Sequence, residues 1–132
     1  MEQHSLARQV NVALEQLEAE LKGLTAGTIV LQIRDDKVGR FGIRHLPLDC
    51  GSQTTNVAAG GLTAAQAKQL RVMAVEALRY KRTWTHGEIA YDFALRQGQV
   101  DVSVQFESNY NMANVLFKPP ARRSERRDVS NE

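Results

Sequence analysis

With 132 residues, 42% of them hydrophobic and 24% charged, the chain has material for one folded domain and is too apolar for general disorder. Its 17 basic and 15 acidic residues give a formal charge of +2, but five bases (Lys118, Arg122, Arg123, Arg126, Arg127) and three acids (Glu125, Asp128, Glu132) lie from Lys118 onward, leaving 12 of each before it. A neutral body speaks against a dedicated duplex-binding domain, which needs a positive excess to displace phosphate counterions.

In chain order, Leu6, Val10, Leu14, Leu17, Leu21 and Leu24 recur at spacings of four and three, one stripe of a helix that Ser5 can cap and Gly23 can end. Ile29, Leu31 and Ile33 then alternate with polar residues, Asp35-Asp36-Lys37 interrupts, and Phe41 and Ile43 resume the alternation. This predicts a hairpin whose other face carries Gln32, Arg34, Arg40 and Arg44. Residues 47–61 are polar and small with no period, and a loop of that length is a place to look for a binding segment.

Thr63 with Gln66 three residues on forms a capping box, opening a second helix that buries Ala67, Leu70, Met73, Ala74, Ala77 and Leu78. The second hairpin alternates most cleanly. With Gln97-Gly98 as a two-residue turn, Leu95 meets Val100, Phe93 meets Val102, Tyr91 meets Val104 and Ile89 meets Phe106. A short element of open type follows between Asn109 and Phe117, and Lys118-Pro119-Pro120 ends regular structure before a polar tail.

The expected fold is therefore α+β: a two-layer sandwich in helix-hairpin-helix-hairpin order, with a four-stranded, largely antiparallel sheet and two helices on one face. Residues 1–117 form the domain and 118–132 a disordered basic tail. An echo at an offset of 60 sets Gly27-Thr-Ile-Val-Leu-Gln-Ile beside Gly87-Glu-Ile-Ala-Tyr-Asp-Phe. Two copies of one unit would produce it, and so would two unrelated units of the same periodicity.

The single cysteine, Cys50, excludes an intrachain disulfide and a Cys-rich zinc site. No apolar run approaches the roughly 20 residues of a membrane span, and the start Met-Glu-Gln-His-Ser has no secretory pattern. A cytoplasmic location without membrane contact is expected.

Three constellations carry the functional reading. On the second helix, Lys68, Arg71, Arg79 and Arg82 fall within about 80° of one another at helical spacing. With Val75 amid them and the tail residues Arg122, Arg123, Arg126 and Arg127, they offer a basic surface to a partner. On the outer sheet face, His86, Glu88 and Asp92 share one side of a strand and Glu88 faces Glu107. Arg40 and Arg44 are the expected compensation, as a ladder of ion pairs. The same carboxylates with His86 could instead serve metal or acid–base chemistry. His45, Asp49 and Cys50 are close in sequence, but no oxyanion element accompanies them.

No phosphate-binding loop, nucleophile elbow or metal-ligand spacing is present, and no cofactor or metal is expected. The leading expectation is a small non-catalytic binding or regulatory module acting through protein–protein contacts. The alternatives are a nucleic-acid-binding regulator using the second helix and tail, and a small metal-dependent hydrolase. Oligomeric state stays open, with a homodimer among the options.

Overall fold

The computed structural model describes residues 5–47 and 60–116. The tail, Asp49, Cys50 and most of the 47–61 loop lie outside the described residues. Ser5 starts α1 (Leu6–Gln16), its hydroxyl accepting the Arg8 amide at 3.1 Å. The leucine stripe expected to run on to Leu24 is interrupted at Leu17, whose amide donates to the Leu14 carbonyl at 3.1 Å. That tightened turn separates α1 from a further turn of helix, α2 (Glu18–Leu21). The second helix, α3 (Ala64–Glu76), opens on the predicted capping box, with Thr63 and Gln66 bonding each other's amides.

Both hairpins turn through two residues. β1 (Ala26–Arg34) and β2 (Lys37–Arg44) are joined by Asp35-Asp36, with φ of 51° and 60°; β3 (His86–Arg96) and β4 (Gln99–Ser108) are joined by Gln97-Gly98, with φ of 51° and 80°. Positive φ at both central residues matches the twist of paired strands. Lys37, read from the sequence as part of the interruption, therefore begins β2. In the second hairpin every predicted pair is present, from Leu95 with Val100 to Ile89 with Phe106. In the first, Leu31 pairs with Phe41 but Ile33 with Val38, so Gly39 and Arg40 together oppose Gln32. This bulge keeps Val38, Phe41 and Ile43 on one face despite their uneven spacing.

The sheet is antiparallel throughout, in the order β2-β1-β3-β4. The echo at 60 residues acquires a geometry at its centre. Val30 pairs with Ala90, its own counterpart, and Ile29 pairs with Tyr91 while Leu31 pairs with Ile89. A two-fold axis normal to the sheet between β1 and β3 would exchange these partners, as two copies of one helix-hairpin unit require. The helices obey the same scheme. α1 packs beside β2 and α3 beside β4. Gln9 bonds the backbone of Asp36 and Val38 at the first turn, and Gln66, which is not its counterpart at an offset of 60, bonds the Gly98 carbonyl at the second.

Both helices cover one face. Val10, Leu14, Leu70 and Ala74 form a single core with Ile29, Leu31, Ile89, Tyr91 and Phe93. The aligned glycines Gly27 and Gly87 face this core, each under an aromatic ring, Phe93 over the first and Trp84 over the second. Trp84 is held by bonds from its amide to the Asp36 carboxylate (2.8 Å) and from its indole to the Lys81 carbonyl (3.1 Å), and its ring meets Phe106 edge-on.

Tyr91 is fully buried and its hydroxyl donates to the Ala74 carbonyl at 2.9 Å. Burial pushes its phenol well above the ordinary value of 10.0. The folded chain thus holds this proton more tightly than the unfolded chain does. The resulting stability is complete below about pH 10 and is lost as pH rises further, because only the unfolded state ionises at first. Tyr91→Phe should cost about 1 kcal/mol near neutrality and flatten the alkaline limb of a stability–pH curve measured by urea denaturation. An unchanged limb would mean that another group controls it.

Candidate functional site

Strand order decides what the uncovered face of the sheet presents. Reading across β2, β1, β3 and β4, one row is Arg44, Thr28, Asp92 and Ser103; the next is Gly42, Val30, Ala90 and Gln105; the third is Arg40, Gln32, Glu88 and Glu107. Arg34, paired with both Lys37 and His86, forms a fourth. The middle of the two central strands is thus largely small or apolar, with Ala26, Thr28, Val30, Ala90 and Ala94 half-buried by their neighbours, while Gln32, Glu88 and Asp92 are larger polar residues of those strands. The flanks are long and charged, basic along β1 and β2 (Arg34, Lys37, Arg40, Arg44) and mainly acidic along β3 and β4 (Glu88, Asp92, Asp101, Glu107), where Arg96 bridges Asp101 at 3.2 Å near the turn. Lys37 joins the basic flank only because the turn is two residues long. A correct turn length in the sequence reading would have found it.

The ion-pair ladder expected between Arg40, Arg44 and the facing carboxylates does not form, because β1 lies between β2 and β3. Arg44 neighbours Thr28, whose hydroxyl donates to the Asp92 carboxylate, and Arg40 neighbours Gln32. Glu88 stands directly across from Glu107 as predicted, and among the described residues no ion pair joins either of them, or Arg40 or Arg44, to an opposite charge. Two facing carboxylates repel. Among the described residues that repulsion has no direct compensating partner.

The basic stripe of the second helix is also redrawn. α3 ends at Glu76, and a 3₁₀ turn over Ala77–Tyr80 changes the angular step before Lys81 turns extended. Lys68 is exposed on α3, whereas Arg71 is largely withdrawn from solvent and bridges to Glu18 of α2 at 3.3 Å. Val75 is half-buried against the core. Arg79 lies over the ring of Tyr80 at 5.0 Å and Arg82 belongs to the loop before β3. These residues do not make one continuous cationic track. The tail arginines lie outside the described residues.

His86 sits between Arg34 and the start of the next segment, its carbonyl accepting the Asn109 amide at 2.9 Å. His45 is paired with Glu20 at 2.7 Å, tying the end of β2 to α2. Among the described residues no group of three His, Cys, Asp or Glu side chains is placed to hold a metal ion, and no helix is long and apolar enough to cross a membrane. Two apolar features escape the sequence reading. Val12 and Phe41 remain partly exposed along the seam between α1 and β2, and Tyr110, Met112, Val115 and Leu116 are exposed in and before α4 (Met112–Leu116). The first lies where α1 meets the edge strand, a neighbourhood that only the packing of the two elements defines.

No known protein family, curated protein sequence or solved structure matches the chain.

Proposed function

We propose that this chain is a small binding module that works through protein–protein contacts, with the uncovered sheet face as its contact surface. The supporting observation is the layout of that face, a half-buried centre of small residues flanked by long charged side chains on both sides. Protein interfaces share that anatomy of an apolar middle and a polar rim. The proposed contact surface is thus the sheet rather than the second helix. The face is open to water across its width, which favours recognition over a reaction that must exclude solvent.

The division of charge separates a protein partner from a nucleic acid. A phosphate backbone would be drawn to Arg34, Lys37, Arg40 and Arg44 but repelled by the carboxylates two strands away. A folded protein can match both signs. The test is capture from native lysate by the wild-type chain and by an Arg40→Glu, Arg44→Glu variant, alongside titration with duplex and single-stranded DNA and RNA. The reading expects specific protein capture that the variant loses. Identical capture by both chains would remove the sheet face from the reading, and micromolar nucleic-acid binding lost in the variant would replace the protein partner by a polynucleotide.

A further inference from the structure

We infer that the partner of the sheet face is a second copy of this chain, docked face to face about a two-fold axis that runs parallel to the strands between β1 and β3. The inference rests on the reading of that face as a protein-contact surface. Its basis is that the face is complementary to itself under a two-fold parallel to the strands and not under one perpendicular to them.

A rotation about an in-plane axis parallel to the strands keeps each row at its own height and exchanges β2 with β4 and β1 with β3. Arg44 then lies opposite Ser103 of the second copy with Asp92 one strand inward, and Arg40 lies opposite Glu107 with Glu88 one strand inward. Arg34 meets His86, and Val30 meets Ala90 at the centre. Every contact occurs twice, as a two-fold interface demands. Rotation about the in-plane axis perpendicular to the strands would instead stack β2 on β2, arginine on arginine, and β4 on β4, carboxylate on carboxylate. The charge layout therefore favours the axis parallel to the strands over the perpendicular one.

The steric layout agrees with it. Sheets stack about 10 Å apart, and the small residues Ala26, Val30, Ala90 and Ala94 let the centres approach at least that closely. The long arginines at the flanks span the wider part of the gap. The docking also supplies a partner missing among the described residues: Glu88 and Glu107, which face each other with no described cation bridged to either, receive Arg40 of the second copy. Four strands at about 4.8 Å and nine residues at about 3.3 Å give a face of roughly 19 by 30 Å. Two such faces bury on the order of 1,100 Å², the lower end of specific interfaces. The association is accordingly a weak one, sensitive to salt because its charges stay near solvent.

Sedimentation velocity of the full chain from a few to about 300 µM, a range suited to a small interface, tests this. The expected result is a monomer–dimer equilibrium that weakens as salt rises. Arg40→Glu, Arg44→Glu makes both flanks acidic, and Glu88→Arg, Glu107→Arg turns the acidic flank basic. Each variant alone should dimerise at least tenfold more weakly. An equimolar mixture should form a heterodimer at least as tight as the wild-type dimer, because one chain is then acidic and the other basic across the face. Far-UV circular dichroism and urea midpoints establish that both variants fold. A wild-type chain that stays monomeric, or a dimer unmoved by either variant, overturns the inference. If the wild type is monomeric yet the arginine variant loses capture of a different protein, self-association fails while the contact surface stands.

Discussion

Gly87→Ala should destabilise the domain by about 3 kcal/mol or more, at the upper end of what a single added methyl does in a packed interior. Gly87 is buried on the inner face of β3, and a Cβ there would fall on the Glu107 carbonyl of the neighbouring strand and on the six-membered ring of Trp84. Neither can give way freely. The carbonyl belongs to a strand whose pairing continues on both sides, and Trp84 is fixed by its bonds to Asp36 and Lys81 and by the edge of Phe106. Gly42→Ala is the control: a Cβ there meets nothing within 4 Å, and the change should stay within about 0.5 kcal/mol. Urea denaturation of the two variants decides the matter. Equal stabilities would show that Trp84 does not rest on Gly87.

The two glycines also mark how far the sequence could be read. Their alignment at an offset of 60 was visible, but its meaning lay in pairing between strands far apart in the chain. Alternation defines the two faces of a strand and, with a two-residue turn, the register of a hairpin. That is why Phe93 could be set against Val102 from residues alone. It does not define which hairpin strand joins which. Arg40 and Arg44 could be assigned to the outer face, yet whether they adjoin Glu88 and Asp92 depended on β1 lying between them. A ladder of ion pairs and a split-charge face are written by the same residues in different strand orders.

Helical phase failed for a related reason. Lys68, Arg71, Arg79 and Arg82 share a side only if the step stays near 100° throughout, and the 3₁₀ turn at Ala77–Tyr80 breaks that condition. Arg71 was further diverted by Glu18, some fifty residues earlier, through a contact that only the packing of α2 on α3 creates. The capping residues Ser5 and Thr63 were legible because caps act within one turn of their own position. What could be read was local or strictly periodic, and the layout of the uncovered sheet face is neither.

Phe93→Ala should cost roughly 3 to 5 kcal/mol, the usual range for deleting a buried phenylalanine ring. Phe93 is 3% exposed and lies between Gly27 of β1 and Val102 of β4. Its ring covers a glycine, so no side chain at position 27 can relax into the space it leaves, and the cavity persists. Phe41→Ala should cost less than about 1.5 kcal/mol, since Phe41 is 39% exposed on the edge strand and forfeits only part of its transfer energy. Equal losses for the two would place Phe93 outside the core and sink the assigned register. The pair Gly27→Ala with Phe93→Ala sharpens the test. Alone, an added methyl at Gly27 meets the Phe93 ring at 3.3 Å and the Arg44 carbonyl at 3.2 Å. With the ring gone it enters the vacated space instead. The double variant should therefore lose less than the two single losses combined, by about 1 kcal/mol, the scale of coupling between residues in contact. Strict additivity in urea denaturation would show that the ring does not rest on Gly27.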